Sequence, residues 1–149
     1  MKKILGVVLA AIIIVMPGWA KAADADLPVP IQEYKNIRYY SMGVSTEERR
    51  TLPQLYPLKL IFATDQGHML CDADVTVSAG GKTVFRGRSE NGPWLIIDLP
   101  PGGYDIEAVL DGKTRTAKGV VITAGKKRTI NLRWKTTEVR MGLKDNPEK

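Results

Sequence analysis

The chain has 149 residues, with 22 Lys and Arg against 16 Asp and Glu, one His and one Cys. That is one ordinary domain, and 44% hydrophobic residues supply a core without staples. The single Cys excludes an internal disulfide, and one His with one Cys excludes a zinc site or a His-dependent nucleophilic triad. The first element is an address. Met1-Lys2-Lys3 is a positive n-region, an apolar run of about a dozen residues follows, and Pro17-Gly18-Trp19 precedes Ala20-Lys21-Ala22. This is the pattern of a secretory signal peptide over residues 1–22. A transmembrane anchor is the competing reading, but the run falls short of the ~18–20 residues that cross a bilayer. Cleavage after Ala22 removes Lys2, Lys3 and Lys21 and lowers the formal charge from +6 to +3. The short n-region suits bacterial export, which places the mature protein in the periplasm or outside the cell.

Residues 23–57 read as an extended N-terminal arm with a short helix. Pro28 and Pro30 stand among small and acidic residues without sustained periodicity, which predicts a mobile, partly disordered lead-in over residues 23–37. Ser45 can cap a helix that Glu48 answers three residues on, giving one or two turns over residues 46–52 before Pro53 and Pro57 stop it. Tyr34, Tyr39 and Tyr40 form an aromatic stripe here, readable as partner-binding or as packing onto the domain.

From Leu58 the texture becomes that of an all-β sandwich: short alternating runs broken by Gly, Pro and Asp every 8–12 residues or so. Leu58, Leu60 and Phe62 alternate; Ala73, Val75 and Val77 follow, then a Gly80-Gly81 turn and a return strand from Lys82. Residues 94–98, nearly all apolar, predict a central strand. Tyr104, Ile106, Ala108 and Leu110 share one face up to Asp111-Gly112, a type I′ hairpin signal. Val120 and Ile122, then Ile130, Leu132 and Trp134, close a set of seven or eight strands, and residues 136–149 form a polar tail that frays.

The block Asp98-Leu99-Pro100-Pro101-Gly102-Gly103-Tyr104-Asp105-Ile106, with Val120-Val121-Ile122-Thr123-Ala124-Gly125 and Ile130-Asn131-Leu132 behind it, resembles the carboxypeptidase regulatory-like domain. Asp65-Gln66-Gly67 through Val77 is similar to that family's first turn and second strand, so the resemblance covers about residues 58–134. It implies a transthyretin-like, seven-stranded Greek-key β-sandwich, accessory in role, with no catalytic residue of its own. A Ser89-Glu90-Asn91-Gly92-Pro93 loop stands where the family has Asp-x-x-Gly, and no catalytic domain lies beside it.

Candidate chemistry is sparse. His68-Met69-Leu70-Cys71 is the one cluster with soft ligands, yet alternation on a strand points His68 and Cys71 to opposite faces, so no cofactor and no metal are expected, and Cys71 reads as a buried small hydrophobe, with pairing between chains as the alternative. Asp72 with Asp74, and Asp105 with Glu107, read as solvated edge charges. Lys126, Lys127 and Arg128, with Arg133 and Lys135, form a basic set able to touch anionic envelope polymers or acidic partners; export makes nucleic acid an improbable target. Two non-enzymatic readings follow. One is an envelope binding or scaffolding protein that engages a protein partner through loops, a sheet edge or the arm carrying Tyr34, Tyr39 and Tyr40. The other is a carbohydrate-binding module built on Trp94, Pro100, Pro101 and Tyr104. In both, membrane contact is limited to the signal peptide.

Overall fold

The computed structural model describes residues 27–140. The expected signal peptide, residues 23–26 of the arm and residues 141–149 of the tail lie outside the described residues. The rest is a mostly β fold in two sheets. In chain order the elements are β1 (Gln32–Tyr34), β2 (Ile37–Met42), α1 (Thr46–Thr51), β3 (Leu58–Thr64), β4 (Asp74–Ala79), β5 (Lys82–Arg88), β6 (Trp94–Ile97), β7 (Gly102–Leu110), β8 (Lys113–Ile122) and β9 (Arg128–Trp134). One sheet has the order β1-β2-β6-β3-β9 and the other β5-β4-β7-β8. All pairings are antiparallel except β3 with β9.

Alternation explains the main core. Leu58, Leu60 and Phe62 of β3, Val75 and Val77 of β4, and Ile106, Ala108 and Leu110 of β7 point inward with Leu132 and Trp134 of β9. Trp134 is fully buried and its indole N–H donates to the Lys113 carbonyl at 2.9 Å. Asp111 and Gly112 both adopt positive φ between Leu110 and Lys113, the conformation a type I′ hairpin requires. A bulge interrupts the β7/β8 register after Tyr104, where the Gly119 N–H donates to the Asp105 carboxylate at 3.0 Å.

The lead-in departs from expectation. Residues 32–42 form a hairpin, β1 and β2, that extends the sheet beyond β6, and the Lys35-Asn36 turn takes positive φ at both residues. Asn tolerates that conformation, so the pair serves as a type I′ turn without glycine. Leu27, Val29 and Ile31 pack on the outer face of the sheet, against a second cluster of Tyr40, Met42, Tyr56 and Ile96. The outer face is thus covered at β2 and β6. This is why β6 is apolar at every position: Leu95 and Ile97 enter the inter-sheet core, Trp94 and Ile96 the outer cluster.

Helix α1 connects β2 to this outer layer. Ser45 accepts from the Glu48 N–H at 3.1 Å, while the Glu48 carboxylate reaches back to the Gly43 and Val44 N–H groups at 3.1 and 3.0 Å. Beyond α1, the Tyr40 hydroxyl donates to the Pro53 carbonyl (2.9 Å) and accepts from the Leu55 N–H (3.0 Å), tying residues 53–55 to β2. The start of the expected fraying tail is likewise held. Val139 is buried, Thr136 bonds Asp65 through its N–H and hydroxyl at 3.0 and 2.7 Å, and Glu138 pairs with Arg115.

Candidate functional site at the open sheet edge

The sandwich has two lateral sides, and their edges are built differently. On one side β8 and β9 lie next to each other, each at the end of its sheet. Side chains donate to strand carbonyls here: Arg115 Nε to Arg133 at 2.8 Å, Trp134 Nε1 to Lys113 at 2.9 Å, and Arg128 Nη1 to Val121 at 3.5 Å. Three carbonyls along this side thus already accept from side chains.

On the other side β5 ends the four-stranded sheet and faces the β1–β2 hairpin. Phe85 enters the core there, edge-on to Tyr39 (centroids 4.9 Å apart) and to Tyr34 (6.0 Å). Gly87 two residues on shares its face, and a Cβ at that position would lie 2.6 Å from Phe85 Cζ and 3.0 Å from Tyr39 Cε2. The missing side chain leaves room for both rings. It also opens a groove of about 470 Å³ beside the edge, bordered by Tyr39, Thr76, Arg86, Arg88 and Glu90. Burial, and secondarily the Glu90 charge, push the Tyr39 hydroxyl above its usual range, so it stays protonated and donates to Gln32 Oε1 at 2.9 Å.

The residues singled out from sequence fall in separate places. Tyr39 and Tyr40 are buried on opposite faces of β2 and Tyr34 is half-buried. These rings pack within the sandwich and its outer cluster, and Tyr39 also borders the groove beside Gly87. Trp94 begins β6 and Pro100 follows its other end, so they do not form one site. Pro100 and Pro101 are exposed, whereas Tyr104 is buried and its hydroxyl donates to the Pro100 carbonyl at 2.6 Å, pinning the loop that enters β7. Burial raises that hydroxyl's pKa, which keeps the donor in place. Trp94 is half-buried, with Lys59 Nζ 4.3 Å from its ring centroid and its own indole nitrogen buried without a protein hydrogen-bond partner.

Cys71 corrects the reading as a buried hydrophobe: it is exposed. Asp72, in a left-handed conformation (φ 64°), turns the chain just before β4, and the Ala73 side chain takes the interior position instead. A second groove of about 510 Å³ contains Cys71 with Asp72, Asp74, Arg88, Asp111 and Arg140. Arg88 lies 3.7 Å from Asp72 and 3.9 Å from Asp74, and the Asp111 carboxylate accepts from the backbone N–H of Arg140. Desolvation, then the Asp72 charge, push the Cys71 thiol up, the opposite of an activated nucleophile. Among the described residues no group of three His, Cys, Asp or Glu side chains is placed to hold a metal ion.

No protein-family model and no curated protein sequence matches the chain. The groove beside Gly87 was not legible in advance. The one signal for it, a glycine inside a strand pattern, marks close approach of another group without naming which.

Proposed function

We propose that the protein is an exported, non-enzymatic binding protein of the bacterial cell envelope, and that it takes an extended segment of a protein partner along the β5 edge. The observation that carries this reading is the contrast between the two lateral sides: Arg115, Arg128 and Trp134 donate to carbonyls along β8 and β9, whereas β5 borders an open groove at Gly87. Strand addition draws affinity from main-chain hydrogen bonds and specificity from a pocket for alternate side chains, and this edge offers both. Arg86, Arg88 and Glu90 give the groove a mixed polar rim. Export rests on the n-region, apolar run and Ala20-Lys21-Ala22 of the sequence.

Within this reading β3 to β9 are the seven strands of a transthyretin-like Greek-key sandwich of the carboxypeptidase regulatory-like type, and β1–β2 are an addition to it. Support comes from the Leu99-Pro100-Pro101-Gly102-Gly103-Tyr104 block, whose Tyr104 hydroxyl ties back to Pro100, and from the three-plus-four arrangement left when β1 and β2 are set aside. The carbohydrate reading has less behind it, since Trp94 and Pro100 lie at opposite ends of β6. A photo-crosslinking residue at Arg86, compared with one at Thr129 of β9, tests the edge in the native envelope. A discrete adduct from position 86 alone is expected, and the purified partner should then slow amide exchange along β5. Adducts of equal yield from both positions, or unchanged β5 exchange, refute the proposal.

A further inference from the structure

Strand direction sorts the charges of this molecule along its long axis. The 98–101 and 123–127 connections, and the β1–β2 and β4–β5 hairpins, all lie at one end of the sandwich, because Ile97 pairs with Leu58 and Tyr39, Leu58 with Arg128, Gly102 with Ile122 and Ser78 with Asp105, while Arg128 reaches the Val121 carbonyl across the sheets. That end carries Lys35, Lys82, Lys118, Lys126, Lys127 and Arg128, every one exposed. Acidic groups there are few. Asp98 lies 3.7 Å from Arg38, Asp105 receives the Gly119 N–H, Glu107 shares a depression with Lys118, and Glu33 is on β1. At the opposite end the signs are interleaved and paired, Asp72 and Asp74 with Arg88 and Glu138 with Arg115. Among the described residues this tip thus carries more exposed basic than acidic side chains.

That tip is also shaped. Lys127 Nζ donates to the Leu55 carbonyl at 3.0 Å and Arg128 to the Val121 carbonyl, so both are oriented by neutral acceptors that leave their charges in place. Among them stands Val121, 54% exposed, one of the few large apolar side chains turned to solvent among the described residues. It is outward-facing opposite Gly103, which has no side chain to cover it. Val121, Thr123, Lys126, Lys127, Arg128 and Thr129 share one shallow depression of about 300 Å³.

We infer that this tip docks on an anionic phospholipid surface, with Lys126, Lys127 and Arg128 at the headgroups and Val121 entering the interface. A discrete ligand requires convergent polar groups in a concavity. Here separate loop ends project lysines around one exposed aliphatic residue, the arrangement suited to a planar layer of mobile negative charges. The inference goes beyond the proposed strand addition and does not depend on it, since β5 lies on a side of the sandwich and the tip at its end.

Sedimentation of the mature protein with vesicles tests it, using phosphatidylcholine alone and phosphatidylcholine mixed with phosphatidylglycerol. At about 1 kcal/mol per basic residue near the surface, each loss is roughly five-fold, so K126E/K127E/R128E should weaken partition into the anionic vesicles by at least a hundredfold. The variant R133E/K135E/R140E makes the same change in net charge at exposed positions of the opposite end and should bind within a few-fold of the parent. V121D, at an exposed position that leaves the core intact, should weaken binding while circular dichroism stays unchanged. The inference is overturned if the parent binds neither vesicle, if it binds neutral vesicles as well as anionic ones, or if the two triple variants lose binding equally.

Discussion

The Tyr40 hydroxyl is the bond on which the attachment of the outer layer to β2 can be measured. Tyr40→Phe keeps the ring, buried in the outer cluster and edge-on to Tyr56 at 5.5 Å, and removes one oxygen that serves two backbone groups. The loss leaves the Pro53 carbonyl and the Leu55 N–H without that partner. An orphaned polar group costs ~1–3 kcal/mol when fully buried; Leu55 is half-buried, so the expected loss is about 1–2 kcal/mol. Urea unfolding of the mature protein reads this directly: with a slope of about 2 kcal/mol/M, the midpoint should fall by about 0.5–1 M with the slope unchanged. Amide exchange at Leu55 should accelerate in the same variant. Tyr40→Ala, which also removes the ring, should cost ~3–5 kcal/mol. A Tyr40→Phe midpoint equal to the parent's, with Leu55 still protected, would refute the reasoning and make residues 53–55 independent of β2.

Three further outcomes are accessible to simple assays. Gly87→Ala places a Cβ 2.6 Å from Phe85 Cζ and 3.0 Å from Tyr39 Cε2, so the ring pair must shift; a loss of ~1–3 kcal/mol in thermal or urea unfolding is expected, and none if the groove is wider than described. The exposed Cys71 should be modified by a thiol reagent in the folded protein, with a pH midpoint above the ordinary thiol value of ~8.5, and failure to label without denaturant would contradict its placement. The hydrogen bond from the Thr136 hydroxyl is the foremost cause holding Asp65 below the usual aspartate range, so Thr136→Val should return its titration toward ~3.9 by NMR. Because the folded-state pKa is the depressed one, Asp65 stabilises the fold above its ordinary value and loses this as pH falls through the lowered value. The stability gap between parent and variant should therefore narrow below about pH 4, and a gap that is constant with pH would argue against the assignment.

Period-two alternation made the sandwich strands legible wherever one face is buried. Leu58 to Phe62 and Tyr104 to Leu110 lie on the faces their spacing predicts, and Asp111-Gly112 turns as its residue types require. The lead-in misled because prolines usually break patterns. Leu27, Val29 and Ile31 are themselves an alternating run, with Pro28 and Pro30 on the exposed positions, where an extended segment needs no N–H donor. Reading those prolines as breaks hid the period. The β1–β2 hairpin was missed for a related reason: Lys35-Asn36 contains no glycine, although Asn36 reaches positive φ.

The candidate surfaces were harder to foresee because they depend on what lies beside a strand. Nothing local to Arg115, Arg128 or Trp134 says that each donates to a backbone carbonyl, since Arg115 and Arg133 are 18 residues apart and Trp134 and Lys113 are 21 apart. Nothing local to Gly87 says that two rings converge where its side chain is missing. The basic set at 126–128 was visible as a run, but its meaning changes with topology: the Leu58 pairings with Ile97 and Arg128 bring it to the same end as Lys35 and Lys82, which are far away in sequence. A sheet edge and a charged tip are properties of strand order. Composition and spacing reveal which residues are available for them, and the order in which the strands assemble decides which carbonyls Arg115, Arg128 and Trp134 reach and which rings meet beside Gly87.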